Sequence, residues 1–329
     1  MTRNSLGYRQ DGFILIVVLG AVLVLSGLLF GFNQMARTRL STADGFYRME
    51  QTAGGARAGL EIAIAAIRDA NDIGADPRFS RLLAGDNTFS IDDASCSVTI
   101  ADESGLLNVN SLKGPDGQLD RRSIDQFLRL IDLVNAQADS SERIGYGVIP
   151  CLIDWIDSDD EVTHLPFIQR ENTGAENSHY QAQSRPYPCR NRPLDTADDL
   201  LWVKGVTPQA LSRLHPYLTC VGDGKININA APKLVIQSLS EQMDGALAQV
   251  ILNQRRLRPF ENPAQLRSLP GMTDNIYQAI KDRISTRPKD RYYRVTSRAS
   301  MADRKSAVEA LLRRNTQVGT VDIVLYREM

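Results

Sequence analysis

The stretch IDWIDSDDEVTHLP, residues 153–166, crowds five acids, Asp154, Asp157, Asp159, Asp160 and Glu161, into eight positions. Carboxylates this close repel one another, and a bound divalent cation relieves the repulsion. Hard oxygen donors at alternate positions suit Ca2+, which takes about six to eight oxygens and tolerates irregular geometry. Glu176 and Asn177 offer more oxygen downstream, so the candidate metal ligands are Asp157, Asp159, Asp160, Glu161, Glu176 and Asn177. The run is not a complete EF-hand loop, because the glycine and the distant bidentate Glu are missing. A solvated acidic loop is the plain alternative, and the cost of crowding like charges argues against it.

No catalytic constellation accompanies these acids. His164, His179 and His215 show neither HExxH nor triad spacing, and there is no phosphate-binding glycine loop. His164 stands near the acids, but a solvent-exposed loop histidine explains it as well. The chain is therefore read as non-enzymatic. Cys96, Cys151, Cys189 and Cys220 form no CxxC pair, and an even number of cysteines suggests disulfides in an oxidising compartment. Three connectivities remain open; Cys189 with Cys220 encloses the most compact segment, and free buried thiols are the alternative.

An internal echo suggests a second chemistry. LLWVKGVTPQALSRL from Leu200 and LRSLPGMTDNIYQAI from Leu266 share Leu, an apolar residue three on, Gly two further, then an apolar residue and Thr. Two helices joined by a glycine turn explain both copies, as in a helix-hairpin-helix. Such turns can meet phosphates, and residues 251–315 hold 15 Lys and Arg against 6 Asp and Glu, including Arg255, Arg256, Arg258 and Arg267. Against a nucleic-acid role, Thr207 and Thr273 stand where close backbone approach favours a second glycine.

These residues must be carried on something that begins in a membrane. Phe13 to Phe32 is 20 residues without a charge, and a helix of that length spans roughly 30 Å, one bilayer core. Arg3 and Arg9 hold the start in the cytoplasm by the positive-inside rule, so the remainder is exported. Gly27 and Gly31 provide a small-xxx-small surface for helix packing. Beyond the span, Phe46, Met49, Ala53, Ala56, Leu60, Ala63 and Ile67 recur at three and four, which predicts one helix over 13–70 with an apolar stripe. Gly54, Gly55 and Gly59 imply a break or a close packing contact in it. Alternation over 89–112, and again near Tyr293 and Val321–Leu325, predicts strands at both ends of a helical block. If those strands share one sheet, the block is an insertion.

The leader adds detail. A short basic segment ending in Gly12, followed by Phe13 and a continuous apolar helix, resembles a type IV prepilin signal. The resemblance implies cleavage after Gly12 by a prepilin peptidase and methylation of Phe13. Most prepilins carry Glu at mature position five, where this chain has Val17. That absence, together with DESGLLNVNSL, LIDWIDSDDE, NRPLDTADDLLWVKGVTPQALSRLHPYLT and ININAAP, resembles the K-type minor pseudopilin family of type II secretion (GspK).

The resemblance implies an α+β fold: an N-terminal transmembrane and long helix, a pseudopilin-like α/β head, and a large inserted helical domain with helix-hairpin-helix-like repeats. Expected units are 1–12 leader, 13–70 long helix, 71–118 first head strands, 119–221 inserted helical domain, 222–286 a strand and second helical unit, and 287–329 C-terminal head strands. It also implies Ca2+ in the insertion. Asp157, Asp159 and Glu161 match the family's acidic run, Glu176 matches a Gly-Ala-Glu-Asp stretch with Asn177 in place of the Asp, and 162–173 looks like added chain. Implied partners are the I-type and J-type minor pseudopilins, the major pseudopilin, the prepilin peptidase and the inner membrane, with the head in the periplasm and no nucleic acid. The competing classes are an exported, membrane-anchored DNA-binding protein of the competence type and a membrane-anchored hydrolase.

Overall fold

A computed structural model describes residues 10–70, 83, 85, 87–114, 116–139 and 142–329. The leader through Arg9 lies outside the described residues. In chain order the elements are α1 (Gln10–Asp69), β1 (Asn87–Ile91), β2 (Ala94–Asp102), β3 (Leu107–Asn108), α2 (Arg121–Asn135), α3 (Val148–Ile156), α4 (Asn177–Gln181), α5 (Pro208–Leu214), β4 (Leu218–Thr219) and β5 (Ile226–Asn227). After them come α6 (Lys233–Ser238), α7 (Gly245–Leu257), α8 (Asp274–Ile280), β6 (Ile284–Ser285), β7 (Asp290–Met301), β8 (Arg304–Asn315) and β9 (Val321–Glu328).

Helix α1 runs unbroken for 60 residues, about 90 Å at the usual rise. Its first half is apolar and unburied within the protein, long and apolar enough to cross a membrane. Its second half lies on a five-stranded antiparallel sheet of order β1-β2-β7-β8-β9. Ala56, Leu60, Ala63, Ile64 and Ile67 pack there against Val98, Ile100, Tyr293, Val295, Val308, Ala310 and Leu312. The period of 3.6 on the helix meets the period of 2 on the strands, so each contributes one face to a shared core. Phe46 and Met49 continue the stripe in sequence but stay exposed. The β7–β8 hairpin ends level with Arg48, whose guanidinium reaches Asp303 at 3.5 Å, and no strand covers the helix beyond it.

The glycines do not break α1; they let the sheet approach. A Cβ on Gly59 would lie 2.3 Å from Ser297 Oγ and 2.9 Å from Val98 Cγ2, whereas one on Gly54 meets nothing within 4 Å. Gly59→Ala is therefore expected to destabilise the chain by about 1–3 kcal/mol through overpacking. Gly54→Ala should stabilise it by up to about 1 kcal/mol through helix propensity. Denaturant unfolding of both variants reads the difference directly, and equal shifts would remove the packing account.

Strand β2 pairs with β7 from Ser95↔Ser300 to Asp102↔Tyr293, so the chain leaves the sheet at Asp102 and returns to its neighbour at Asp290. Everything between is an insertion. It starts earlier than residue 119, because Leu107, Val109 and Leu112 already bury in its core with Phe127, Ile131, Ile149, Leu152 and Tyr180. A separate core gathers Ile226, Ile228, Val235, Ile251, Leu266, Ile276 and Ile284.

These two cores are built alike, well beyond the echo visible in the sequence. In the first, β3 runs parallel to β4 with Leu107 opposite Leu218; in the second, β5 runs parallel to β6 with Ile226 opposite Ile284. Asn110 accepts from Leu194 N (2.8 Å) and donates to the carbonyls of Leu194 and Cys220. Asn229 does the same with Phe260 N (2.9 Å) and the carbonyls of Phe260 and Thr286. Thr207 caps α5 through Ala210 N, and Thr273 caps α8 through Ile276 N. The turns before them hold Gly205 at φ 86° and Gly271 at φ 85°, a left-handed conformation that favours glycine. The first arm of each hairpin is a 3-10 turn, Ala197–Trp202 and Pro263–Ser268, rather than an α-helix. The copies differ in one place. In the second, α7 ends at Leu257 and the 3-10 turn begins at Pro263; in the first, the chain makes a long excursion between Ile156 and Ala197.

Candidate metal centre

The excursion holds the acids, and α3 positions the first of them. VIPCLIDWI is buried all round, so Asp154 and Asp157, one turn apart, enter the interior with it. Glu176, immediately before α4, approaches from the returning chain. The three carboxylates are 0%, 6% and 2% exposed and each contributes an oxygen to a group lying within 4.8 Å of one another. Asp154 Oδ1 accepts from Thr163 N at 2.9 Å, and Asp157 Oδ2 accepts from Lys113 Nζ at 2.7 Å. Asp154 Oδ2, Asp157 Oδ1 and both oxygens of Glu176 are buried without a hydrogen-bond donor.

Burial raises the pKa of Asp154 against the hydrogen bonds from Thr163 that lower it, and raises that of Asp157 against the pull of Lys113. Glu176 is pushed up to about 8 by burial first and then by the charges of Asp154 and Asp157. Three dry carboxyls cannot all ionise without a nearby cation. Four unpartnered oxygens are the donor set a hard cation takes, and oxygens on a calcium sphere of about 2.3–2.6 Å radius lie up to about 5 Å apart. Gly174 keeps the space open, since a Cβ there would fall 2.1 Å from Asp154 Oδ2 and 2.7 Å from the Pro150 carbonyl.

Of the residues expected as ligands, Asp157 and Glu176 come together and Asp159, Asp160, Glu161 and Asn177 are placed elsewhere. Asp159 is half-exposed, 3.5 Å from Lys113 Nζ, and its Oδ1 accepts from Glu161 N. Asp160 Oδ1 accepts from Asn191 Nδ2 at 3.1 Å. Asn177 Oδ1 is taken by Cys189 N at 3.1 Å. His164 is exposed and sits beside Thr173. Asp154 was legible as one turn before Asp157 on the same helix face; Lys113 and Gly174 left no local signal.

The disulfide favoured from sequence is not formed. All four cysteines are free thiols, each held by its own surroundings: Cys96 beneath Gly55 in the sheet core, Cys151 against the Thr173 carbonyl, Cys189 against that of Asp154, and Cys220 in the strand end bound by Asn110. Burial pushes Cys151 and Cys189 up to about 11 and Cys220 up to about 12, so they stay protonated and unreactive. The arginines of the second core are likewise engaged within the fold. Arg255 donates to the carbonyls of Ile228 and Ala231, Arg258 pairs with Glu261 and Arg267 with Asp274. This leaves little basic surface for a phosphate backbone and disfavours the DNA-binding alternative.

Residues 105–223 match a family described as Type II secretion system (T2SS), protein K, and residues 226–287 match its second part. Together these cover more than half of the chain, and they meet where one core gives way to the other. The chain belongs to the type II secretion system protein K family. Type II secretion system protein K of Pseudomonas aeruginosa is 27% identical over 232 residues, which are 69% of this chain and 63% of that protein. The protein K of Aeromonas hydrophila is 23% identical over 248 residues, 69% of each chain. This chain thus spans slightly less than two thirds of the length of its Pseudomonas relative. In fold it resembles a chain of the crystal structure of the GspK-GspI-GspJ complex from enterotoxigenic Escherichia coli, with a TM-score of 0.64, 19% identity, and 89% of this chain and 99% of that one covered. The protein K fold therefore accounts for the α+β head, its long N-terminal helix and the inserted helical block.

Proposed function

We propose that this chain is a non-enzymatic minor pseudopilin of a type II secretion system, placed at the pseudopilus tip to initiate or cap assembly. The observation that carries the reading is the insertion. A helical mass with two cores leaves the sheet between β2 and β7, on a head whose helix α1 has the length and apolarity to join a bundle of similar helices. Such a mass stands in the way of a subunit added above it. Val17 agrees, because an acid in hydrocarbon persists only where it meets a partner, and a tip subunit has no subunit ahead to neutralise. The relative in complex with GspI and GspJ supports I-type and J-type minor pseudopilins as partners.

In this reading the prepilin peptidase cuts between Gly12 and Phe13 and methylates Phe13. The helix remains in the inner membrane until it enters a filament with the major pseudopilin, and the head works in the periplasm. Asp154, Asp157 and Glu176 hold Ca2+ as a structural ion that cross-links α3 to the returning chain. Cysteine crosslinking in cells that assemble pseudopili is the deciding experiment. Single cysteines on the insertion should trap other minor subunits at a filament end, while crosslinks along the shaft would overturn the tip placement. In the same cells Gly12→Val should retain the leader by N-terminal mass spectrometry; a leader retained by the unaltered chain would remove the prepilin reading.

A further inference from the structure

We infer that Lys113 sets the charge of the centre, and with it the affinity and valence preference for the bound cation. This rests on the calcium reading above and adds to it a residue outside the acidic run. Lys113 follows the 3-10 turn Val109–Leu112, far in sequence from the excursion, yet its ammonium is 2.7 Å from Asp157 Oδ2 and 3.5 Å from Asp159 Oδ2. Its side chain is 21% exposed and that of Asp157 is 3% exposed, so their contact is largely dry and weakly screened. With Asp154, Asp157 and Glu176 ionised the centre carries three negative charges, and Lys113 reduces the net to two. One divalent cation completes neutrality; a trivalent ion would overbalance it.

Two consequences follow from Coulomb's law. Lys113 repels any incoming cation and holds one oxygen of Asp157, so it lowers affinity. It repels a trivalent ion half as strongly again as a divalent one, so it also favours Ca2+ over lanthanides. A lysine with a purely structural role would change stability but leave the ratio of affinities alone.

The test uses the full chain in detergent micelles, with Ca2+ measured by calorimetry and Tb3+ by luminescence sensitised through Trp155, which lies between Asp154 and Asp157 on α3. Lys113→Met and Lys113→Gln are both expected to tighten Ca2+ by about tenfold or more and Tb3+ by a larger factor, while Lys113→Arg retains the wild-type ratio. Circular dichroism melts establish that each variant is folded. Wild-type affinities and ratio in the two neutral variants would overturn the inference and leave the calcium reading standing. Absence of binding by the unaltered chain would overturn both.

Discussion

Replacing Arg294 with alanine is expected to destabilise the chain by about 3–5 kcal/mol, because it strands a buried carboxylate. Glu103 is 2% exposed and lies at the first turn after β2, where the chain leaves the sheet. Its Oε1 accepts from Arg294 Nε of β7 at 2.5 Å, and its Oε2 accepts from Thr219 Oγ1 of β4 at 2.7 Å. Arg294 also reaches Glu309 of β8 at 3.1 Å. One network therefore ties the sheet to the first core of the insertion. Gly105 beside it is packed so closely that a Cβ would sit 2.4 Å from Ala231 N, so the joint has no slack to take in water. Both tryptophans, Trp155 and Trp202, lie in the insertion, and their fluorescence in urea reports its unfolding. A loss below about 1 kcal/mol would mean that the pair is solvated like a surface bridge. Removing both partners with apolar replacements of similar volume should cost less than Arg294→Ala alone, since no charge is then stranded.

Asp154→Asn is expected to abolish most of the stabilisation by calcium. An ion that binds only the folded state contributes about 2.7 kcal/mol at a hundred times its Kd. Asparagine can still accept from Thr163 N, so the backbone bond at 2.9 Å is kept while one charge of the centre is lost. The pH dependence carries the same signature. Glu176 is raised from 4.5 to about 8 in the folded chain, so folding favours its protonated form. Its contribution to metal-free stability is complete below about pH 4.5 and is lost as pH rises to about 8. Burial raises Asp154 and Asp157 in the same sense. In chelator the melting temperature should accordingly fall across this window. With excess Ca2+ the increment should grow over the same window, because the ion requires the carboxylates it binds to be ionised. A calcium increment equal in Asp154→Asn and wild type would return these acids to a structural role.

What the sequence determined by itself was everything written in a local period. The uncharged run from Phe13 to Phe32 specifies a bilayer-length helix, and the repeats of three and four from Ala56 to Ile67 specify the face that meets the sheet. The alternation in β2 and β7 specifies strands with one buried side, and the glycine-turn echo marks the two hairpins. Each follows from backbone geometry within a few residues, so a linear reading finds it. Tertiary structure alone decided which distant groups converge. Asp154 and Glu176 meet because the excursion from α3 returns against the same buried helix, while Asp159, Asp160 and Glu161, nearer in sequence to Asp157, turn outward on a loop that water solvates. Lys113 reaches Asp157, Arg294 reaches Glu103, and Asn110 and Asn229 close their two cores through contacts between segments far apart along the chain. The physical reason is desolvation: a buried polar group must find its partner wherever the fold brings one, and no spacing along the chain encodes that distance.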